Sequence, residues 1–164
     1  MENIQEVYIS EALNKRIMDI LKIKKMRENA VIPERATGGS AGLDLYACID
    51  EPVSIGSGDL KLIPTGIAIE LANRNTVALI FARSGLGIKH GIAPSNAVGV
   101  VDSDYRGEIC VGLTNHGKET FVIEPKMRIA QLILMPVIIP EIEVTEELSD
   151  TVRGEGGFGS TGVK

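Results

Sequence analysis

The C-terminal residues of this chain combine groups that suit a phosphorylated ligand. The ten residues from Arg153 to Gly162 include five glycines, one arginine, one aromatic ring and two hydroxyls. Glycine leaves backbone N–H groups unobstructed, and such groups bind phosphate oxygens together with hydroxyls and a guanidinium. The ring of Phe158 can stack on a flat base. Two interpretations stay open: a flexible flap that closes over a nucleotide, and a frayed terminus, which is the commoner state of glycine-rich tails.

Two internal segments offer related chemistry. Arg83-Ser84-Gly85 follows an apolar run and presents a guanidinium fork, a hydroxyl and an open amide, which together can grip a phosphate. Ser-Gly is also common turn chemistry, so this tripeptide alone is weak evidence. Gln131 places an uncharged amide inside the apolar segment Ile129–Leu134. A buried amide needs hydrogen-bond partners, which either the backbone or a ligand can supply.

A carboxylate stands at the end of an apolar run in the segment Asn96–Glu108. Asp102 directly follows Val100-Val101, and Tyr105 comes three residues later. A turn at Asp104–Gly107 would explain the turn residues without requiring an acid at position 102. We expect the apolar run to desolvate this carboxylate, which would suit it to act as a base near neutral pH.

Composition limits the classes of protein to consider. The chain has 164 residues, enough for one domain, with 17 basic and 22 acidic residues and a net charge of −5. This balance argues against nucleic acid or an anionic membrane as a partner. Neither a membrane span of roughly 20 apolar residues nor a secretory signal is recognisable, so we expect a cytoplasmic protein. Cys48, Cys110, His90 and His116 lack metal-ligand spacing, and the cysteines are expected to be free, buried thiols.

The apolar pattern predicts an all-β sandwich or barrel, because many short apolar segments are separated by Gly, Pro, Asn and Asp. The expected strands are Leu60–Ile63, Gly66–Leu71, Val77–Ile80, Glu108–Val111, Phe121–Ile123, Ile129–Leu134 and Glu141–Val144. Residues 11–21 are the only good helix candidate, with apolar residues at helical spacing after Ser10. The apolar run Ile129–Ile139 suggests a strand covered on both faces, for which a subunit interface is one explanation.

Taken in order, these segments resemble the five motifs of the trimeric deoxyuridine triphosphatases (dUTPases). The segments that carry the resemblance are Ala41–Ala47, Arg83–Leu86, Gly99–Glu108, Arg128–Leu132 and Arg153–Gly162. The similarity runs from about Ile23 to Gly162, whereas residues 1–20 precede the usual start of the domain. It implies a jelly-roll β domain at 23–150 and a flexible C-terminal flap at 151–164, and the apolar spacing at 11–21 predicts that the N-terminal extension at 1–22 is helical.

The resemblance also implies that a homotrimer with shared active sites hydrolyses dUTP to dUMP and pyrophosphate. This reaction keeps uracil out of DNA and supplies dUMP for thymidylate synthesis. A hairpin from Asn96 to Tyr105 would hold uracil through backbone groups, and Tyr105 would exclude a ribose 2′-hydroxyl. Asp102 would activate a water for attack at the α-phosphorus, with Mg²⁺ held by the phosphates and water. The implied substrate-binding residues are Arg83, Ser84, Gly85, Asn96, Gly99, Val100, Val101, Tyr105, Gln131, Arg153, Phe158, Gly159, Ser160 and Thr161, with Asp44 ordering nearby loops.

Two alternative functions stay open. The dCTP deaminases resemble the same family in fold, but their catalytic Glu would fall at Gly112, which has no side chain to act as a base. The other alternative is a non-catalytic nucleotide sensor or partner-binding protein, against which Asp102 and the intact tail argue. A panel of deoxy- and ribonucleoside triphosphates with Mg²⁺, scored for pyrophosphate release, separates these functions.

Overall fold

The computed structural model describes residues 20–157 as a set of short strands with one short helix. The strands are β1 (Lys22–Lys25), β2 (Leu43–Tyr46), β3 (Val53–Ile55), β4 (Leu60–Pro64), β5 (Ile67–Glu70), β6 (Thr76–Phe81), β7 (Ile92–Pro94), β8 (Gly99–Val101), β9 (Cys110–Asn115), β10 (Phe121–Ile123) and β11 (Arg128–Pro136), and the helix is α1 (Ser84–His90). The all-β class is therefore confirmed. Most of the helix predicted at 11–21, and the tail residues from Phe158 onward, lie outside the described residues.

The strands pair antiparallel in four sheets. The largest has the order β2-β11-β6-β8, and a three-stranded sheet has the order β4-β9-β7. The pairs β1-β5 and β3-β10 form the other two sheets of the described chain. Neighbours that are far apart in sequence are typical of a jelly roll, with which this topology agrees. The central strand β11 places Gln131 opposite both Asp44 and Phe81, so three distant segments meet there.

An aliphatic core holds the sheets together. The most deeply buried side chains include Leu45 on β2, Ile63 on β4, Leu113 on β9 and Leu132 on β11, each at most 1% exposed. Burying one such side chain contributes about 1.5–3 kcal/mol. Because these strands also carry or adjoin the predicted site residues, the core fixes the backbone from which those residues project.

The helix α1 begins at a Ser-Gly pair that is typical of turns, so the expectation that 11–21 is the only good helix candidate is wrong. Gly85 and Gly87 each lower helix propensity by about 1 kcal/mol relative to alanine, which hides a seven-residue helix from pattern analysis. Burial of Leu86 compensates, and Gly91 ends the helix in the left-handed conformation at φ 70°. Among the described residues, no helix is long and apolar enough to cross a membrane.

The predicted strand at Glu141–Val144 is absent. Ile142 and Val144 alternate as a strand would, but they are 91% and 94% exposed. A strand needs a neighbour for its backbone hydrogen bonds, and the nearest preceding strand, β11, already pairs with β2 and β6. The other predicted strands are confirmed, although β9 begins at Cys110 rather than at Glu108.

Candidate active site

A cleft of about 220 Å³ lies along β8, and we call it the β8 cleft. It brings together the predicted residues Asn96, Gly99, Val100, Val101, Asp102 and Tyr105. Four further lining residues were not predicted: Ile80, Glu108, Ile109 and Cys110. Within the described chain β8 is the last strand of its sheet, so one edge has no partner strand. Its backbone N–H and C=O groups are therefore available to a ligand.

The segment from Asn96 to Tyr105 is not the hairpin that was predicted. β8 pairs with β6, whereas the preceding strand β7 pairs with β9 in a different sheet. A turn before β8 has Ala97 at φ 61°. In the turn after it, the N–H of Tyr105 donates to the carbonyl of Asp102 at 3.2 Å. Turn residues mark where the chain bends, but they do not identify the strand with which each arm pairs.

Asp102 is exposed in the single chain, contrary to the prediction that the apolar run would desolvate it. Val101 is only 7% exposed, but side chains alternate along a strand, so the next residue turns away from the core. Burial of the Asp102 carboxylate would therefore require a bound ligand or another subunit.

Three contacts hold the ring of Tyr105 in one position. Its hydroxyl donates to the carbonyl oxygen of Glu108 at 3.0 Å. A Cβ added to Gly107 would lie 2.6 Å from the ring atom Cζ, so only glycine allows the ring to lie there. The Arg106 guanidinium donates to the carbonyls of Ser103 and Tyr105 at 2.8 and 3.0 Å, which closes the turn. In the sequence, Tyr105-Arg106-Gly107-Glu108 is the local signal for this placement of the ring.

A second cleft, of about 300 Å³, brings Arg83, Ser84, Gly85 and Gln131 together, and we call it the Arg83 cleft. Its other lining residues are Ala36, Ser40, Ala41, Gly42, Asp44 and Ile133. The predicted phosphate-binding residues therefore converge from the β6–α1 junction and from β11. The two clefts share no lining residue.

Asp44 organises the Arg83 cleft through two ion pairs. Its Oδ1 lies 2.8 Å from Nε of Arg83, and its Oδ2 lies 3.1 Å from Nη1 of Arg128. Asp44 is 9% exposed, so its carboxylate is nearly removed from water. Two guanidinium groups against one carboxylate leave a net positive charge, which suits an anionic ligand.

The remaining groups of the Arg83 cleft include fixed hydrogen-bond donors. Nε2 of Gln131 donates to the carbonyl of Ala82 at 2.9 Å, so the backbone supplies one partner of this amide. Ser84 and Gly85 open α1, whose first turn has no acidic residue and no side-chain cap. The first N–H groups of a helix have no intrahelical acceptor, which leaves them free for ligand oxygens.

Three other predictions concern the tail, metal ligands and thiols. Arg153 is exposed, lines neither cleft, and donates from Nε to the carbonyl of Gly156 at 2.7 Å. Phe158, Gly159, Ser160 and Thr161 lie outside the described residues. Between residues 20 and 157, no group of three His, Cys, Asp or Glu side chains is arranged to hold a metal. Cys48 is buried and Cys110 half-buried, both are free, and burial raises the pKa of each thiol.

Comparison with solved structures defines the class first: this is a dUTPase-like β protein. The chain matches the Staphylococcus bacteriophage 80alpha dUTPase with dUPNHPP at a TM-score of 0.80 and 28% identity, over 89% of this chain and 100% of that chain. It matches a mutant dUTPase from phage phi11 of S. aureus, described with a structural Mg(II) ion, at a TM-score of 0.71 and 23% identity, over 79% of this chain and 98% of that chain. The second likeness shows the fold alone.

Sequence comparison then identifies the family. The dUTPase family model matches residues 28–162. The deoxyuridine 5′-triphosphate nucleotidohydrolase of Burkholderia cenocepacia (strain HI2424) is 50% identical over 142 residues, which is 87% of this chain and 96% of that protein. The chain therefore belongs to the dUTPase family, which confirms the family predicted from the five motifs.

Proposed function

We propose that this protein is a dUTP diphosphatase, which hydrolyses dUTP to dUMP and pyrophosphate. The observation that carries the proposal is the grouping of Asn96, the strand Gly99–Val101, Asp102 and Tyr105 around one cleft. A backbone edge for the base, a ring for the sugar and a carboxylate for water thus adjoin one another. The reaction removes dUTP, from which uracil would enter DNA, and supplies dUMP. We still predict that the protein is cytoplasmic.

The unpaired edge of β8 accounts for recognition of uracil. Backbone N–H and C=O groups on a free strand edge can pair with the complementary edge of a base. Cytosine reverses one donor and one acceptor on that edge, so buried polar groups would be left unpaired, which is strongly unfavourable. The methyl group of thymine would meet the backbone wall of the β8 cleft. The enzyme should therefore prefer dUTP to dCTP and dTTP.

Tyr105 accounts for the selection of deoxyribose. Its ring lies over Gly107, and Tyr105, which is 45% exposed, lines the β8 cleft. A ribose 2′-hydroxyl pressed against this ring would lose its hydrogen bonds to water and clash with the ring. UTP should therefore be a poor substrate.

The Arg83 cleft binds the phosphate chain. Arg83 donates charge-assisted hydrogen bonds, while Ser84, Gly85 and Gln131 add uncharged donors. Asp44 acts by orienting Arg83 rather than by touching the substrate, because its carboxylate is engaged by two guanidinium groups. We propose that Arg153, Ser160 and Thr161 bind the terminal phosphates and that Phe158, beside Gly159, covers the base.

Asp102 serves as the general base. Its exposed carboxylate accepts a proton from a water molecule that attacks the α-phosphorus in line, and pyrophosphate leaves. Ligand and neighbouring subunit supply the desolvation that the single chain lacks. The analogue dUPNHPP, by its name, has NH between its first two phosphates. In dUTP the oxygen at that position belongs to the P–O bond that this attack would break.

Magnesium is the proposed cofactor, held by the phosphates. The acid of the Arg83 cleft, Asp44, is already paired with two arginines, so phosphate oxygens and water are the hard ligands that remain. Bound in this way, Mg²⁺ would neutralise charge on the phosphate chain.

We propose a homotrimer in which each active site combines residues of different subunits. One triphosphate has to reach both the β8 cleft and the Arg83 cleft, which share no lining residue. Apolar residues beyond the core of β11 are also exposed: Met135, Val137, Ile138, Ile139, Ile142 and Val144. Burying such a surface between subunits would remove it from water. Light scattering should report about three times 17.6 kDa, whereas an active monomer would refute the shared sites.

Pyrophosphate release from a panel of nucleoside triphosphates with Mg²⁺ tests the reaction. Comparable turnover of dCTP or UTP would overturn the substrate assignment. Asp102→Asn should keep the affinity for dUPNHPP and lower kcat by about 10²–10⁴-fold, the usual contribution of a general base. A loss of less than about tenfold would exclude Asp102 as the base.

A further inference from the structure

We propose that the ion pair between Arg27 and Glu108 positions the Tyr105 ring and thereby sets the discrimination between deoxyribose and ribose. The proposal rests on the function of the β8 cleft proposed above. It assigns Glu108, which lines this cleft, and its partner Arg27 a positioning role that acts through Tyr105.

Glu108 uses its main chain and its side chain for different contacts. Its carbonyl oxygen accepts the hydrogen bond from the Tyr105 hydroxyl. Its carboxylate Oε1 accepts from the backbone N–H of Gly66 at 2.9 Å and from Nε of Arg27 at 2.9 Å. Oε2 accepts from Nη2 of Arg27 at 3.1 Å. This two-point contact between a planar fork and a carboxylate fixes the orientation of the side chain.

Gly66, whose N–H donates to the Glu108 carboxylate, has a backbone conformation and close neighbours that restrict this position. Its φ of 72° and a Cβ position 2.6 Å from Sγ of Cys48 allow only glycine. The Gly66 carbonyl accepts a hydrogen bond from the N–H of Met26 at 2.7 Å, so the residue before Arg27 is also bonded to Gly66. Glu108 itself lies between β8 and β9, outside any strand. Its side-chain contacts therefore help to hold the carbonyl that receives the Tyr105 hydroxyl.

The effect of Arg27 on the position of the Tyr105 ring can be measured separately from its effect on the charge of the cleft. Glu108 lines the β8 cleft, so an unpaired carboxylate would repel any triphosphate. Loss of Arg27 should thus weaken dUTP and UTP binding by the same factor. A displaced Tyr105 ring, in contrast, opens space for the 2′-hydroxyl and improves UTP relative to dUTP. The ratio of the two kcat/KM values reports positioning alone.

Arg27→Gln removes the charge and the fork while leaving the bond from Gly66 to Glu108. We expect the dUTP/UTP ratio of kcat/KM to fall about tenfold, within the range by which small misplacements alter catalysis. Arg27→Lys keeps the charge but loses the fork, and should recover part of the ratio.

The control is Lys22→Gln. Lys22 Nζ lies 2.7 Å from Oε1 of Glu70 and ties β1 to β5, but neither residue lines a cleft. This variant weakens the pairing of β1, which precedes Arg27 in the chain, and leaves every contact of the Glu108 side chain in place, so its ratio should equal that of the unaltered protein.

An Arg27→Gln protein with an unchanged ratio would overturn the proposal, even if both kcat/KM values fell together. If Arg27→Gln does not fold, the ratio of Arg27→Lys decides, and a value equal to that of the unaltered protein overturns the proposal. If the unaltered protein does not hydrolyse dUTP, the proposed function fails instead. Calorimetric affinities for dUMP and UMP then test the ion pair on their own, with the same expected fall in ratio.

Discussion

Replacing Asp44 by alanine should weaken both the fold and the binding of triphosphate. The substitution removes two charge-assisted hydrogen bonds, at 2.8 Å to Arg83 and 3.1 Å to Arg128. Such bonds contribute about 1.5–3 kcal/mol each in buried sites. Solvent reduces this, because the side chains of Arg83 and Arg128 are 26% and 48% exposed. We expect a loss of about 2–3 kcal/mol for Asp44→Ala, and about 1–2 kcal/mol for Asp44→Asn, which keeps one acceptor for Arg83.

Urea unfolding at one fixed protein concentration measures the stability, because subunit association makes apparent stability concentration-dependent. The midpoint should fall while the slope stays the same. Calorimetry with dUMP and dUPNHPP measures the effect on the site. Affinity for dUPNHPP should fall roughly tenfold or more, since a misdirected Arg83 loses a charge-assisted bond to phosphate. Affinity for dUMP should change little, because base and sugar bind in the β8 cleft.

Asp50→Asn provides the matched control. Asp50 is exposed and accepts a hydrogen bond from Nδ2 of Asn29 at 2.9 Å, so its replacement should change stability by no more than about 0.5 kcal/mol. The reasoning is refuted if Asp44→Ala unfolds at the same urea concentration as the unaltered protein. Equal losses of affinity for dUMP and dUPNHPP would refute the assignment of phosphate binding to the Arg83 cleft.

Three further predictions concern the tail, one glycine and one thiol. Removing residues 152–164 should leave the fold, the trimer and dUMP binding nearly intact while kcat falls by orders of magnitude. Mixing such chains with Asp102→Asn chains should restore activity. If the mixtures stay inactive although the subunits exchange, tails that cross between subunits are excluded. Gly66→Ala should lower the free energy of unfolding by about 1–3 kcal/mol more than Gly58→Ala does. Both glycines have a positive φ, but only at Gly66 would an added Cβ lie 2.6 and 2.7 Å from neighbouring atoms. Equal urea midpoints for the two variants would contradict this. Burial raises the pKa of the Cys48 thiol above its ordinary 9.0, so the folded state keeps a proton that the unfolded state releases, and stability should fall as pH rises above 9.0. Urea midpoints over this range should fall less steeply for Cys48→Ala, and identical slopes would count against the thiol as the cause.

The sequence determined the fold class and most of the strands. Alternating apolar residues, as in Val77–Ile80, encode which face of a strand is buried, and that information is local. The same local signal was misleading at Glu141–Val144, where the alternation exists but no partner strand does. It also missed α1, since the glycines at 85 and 87 obscure a helix that Leu86 stabilises through tertiary packing.

The sequence also determined which residues could do the chemistry, because residue types and their order in the chain carried the resemblance to dUTPases. Tertiary structure decided how those residues are grouped. Arg83 and Gln131 share one cleft, whereas Asp102 and Tyr105 lie in another. It also decided that Asp102 is exposed in the single chain, since exposure depends on everything packed nearby rather than on the preceding apolar residues.

The contacts that support the site were beyond the reach of the sequence alone. Asp44 lies 39 residues from Arg83 and 84 from Arg128, and Arg27 lies 81 residues from Glu108. A charged residue carries no local mark of its partner, because ion pairing depends on where the folded backbone places the two groups. Residue type therefore specified what each side chain could bind, and the pairing of distant strands decided what it does bind.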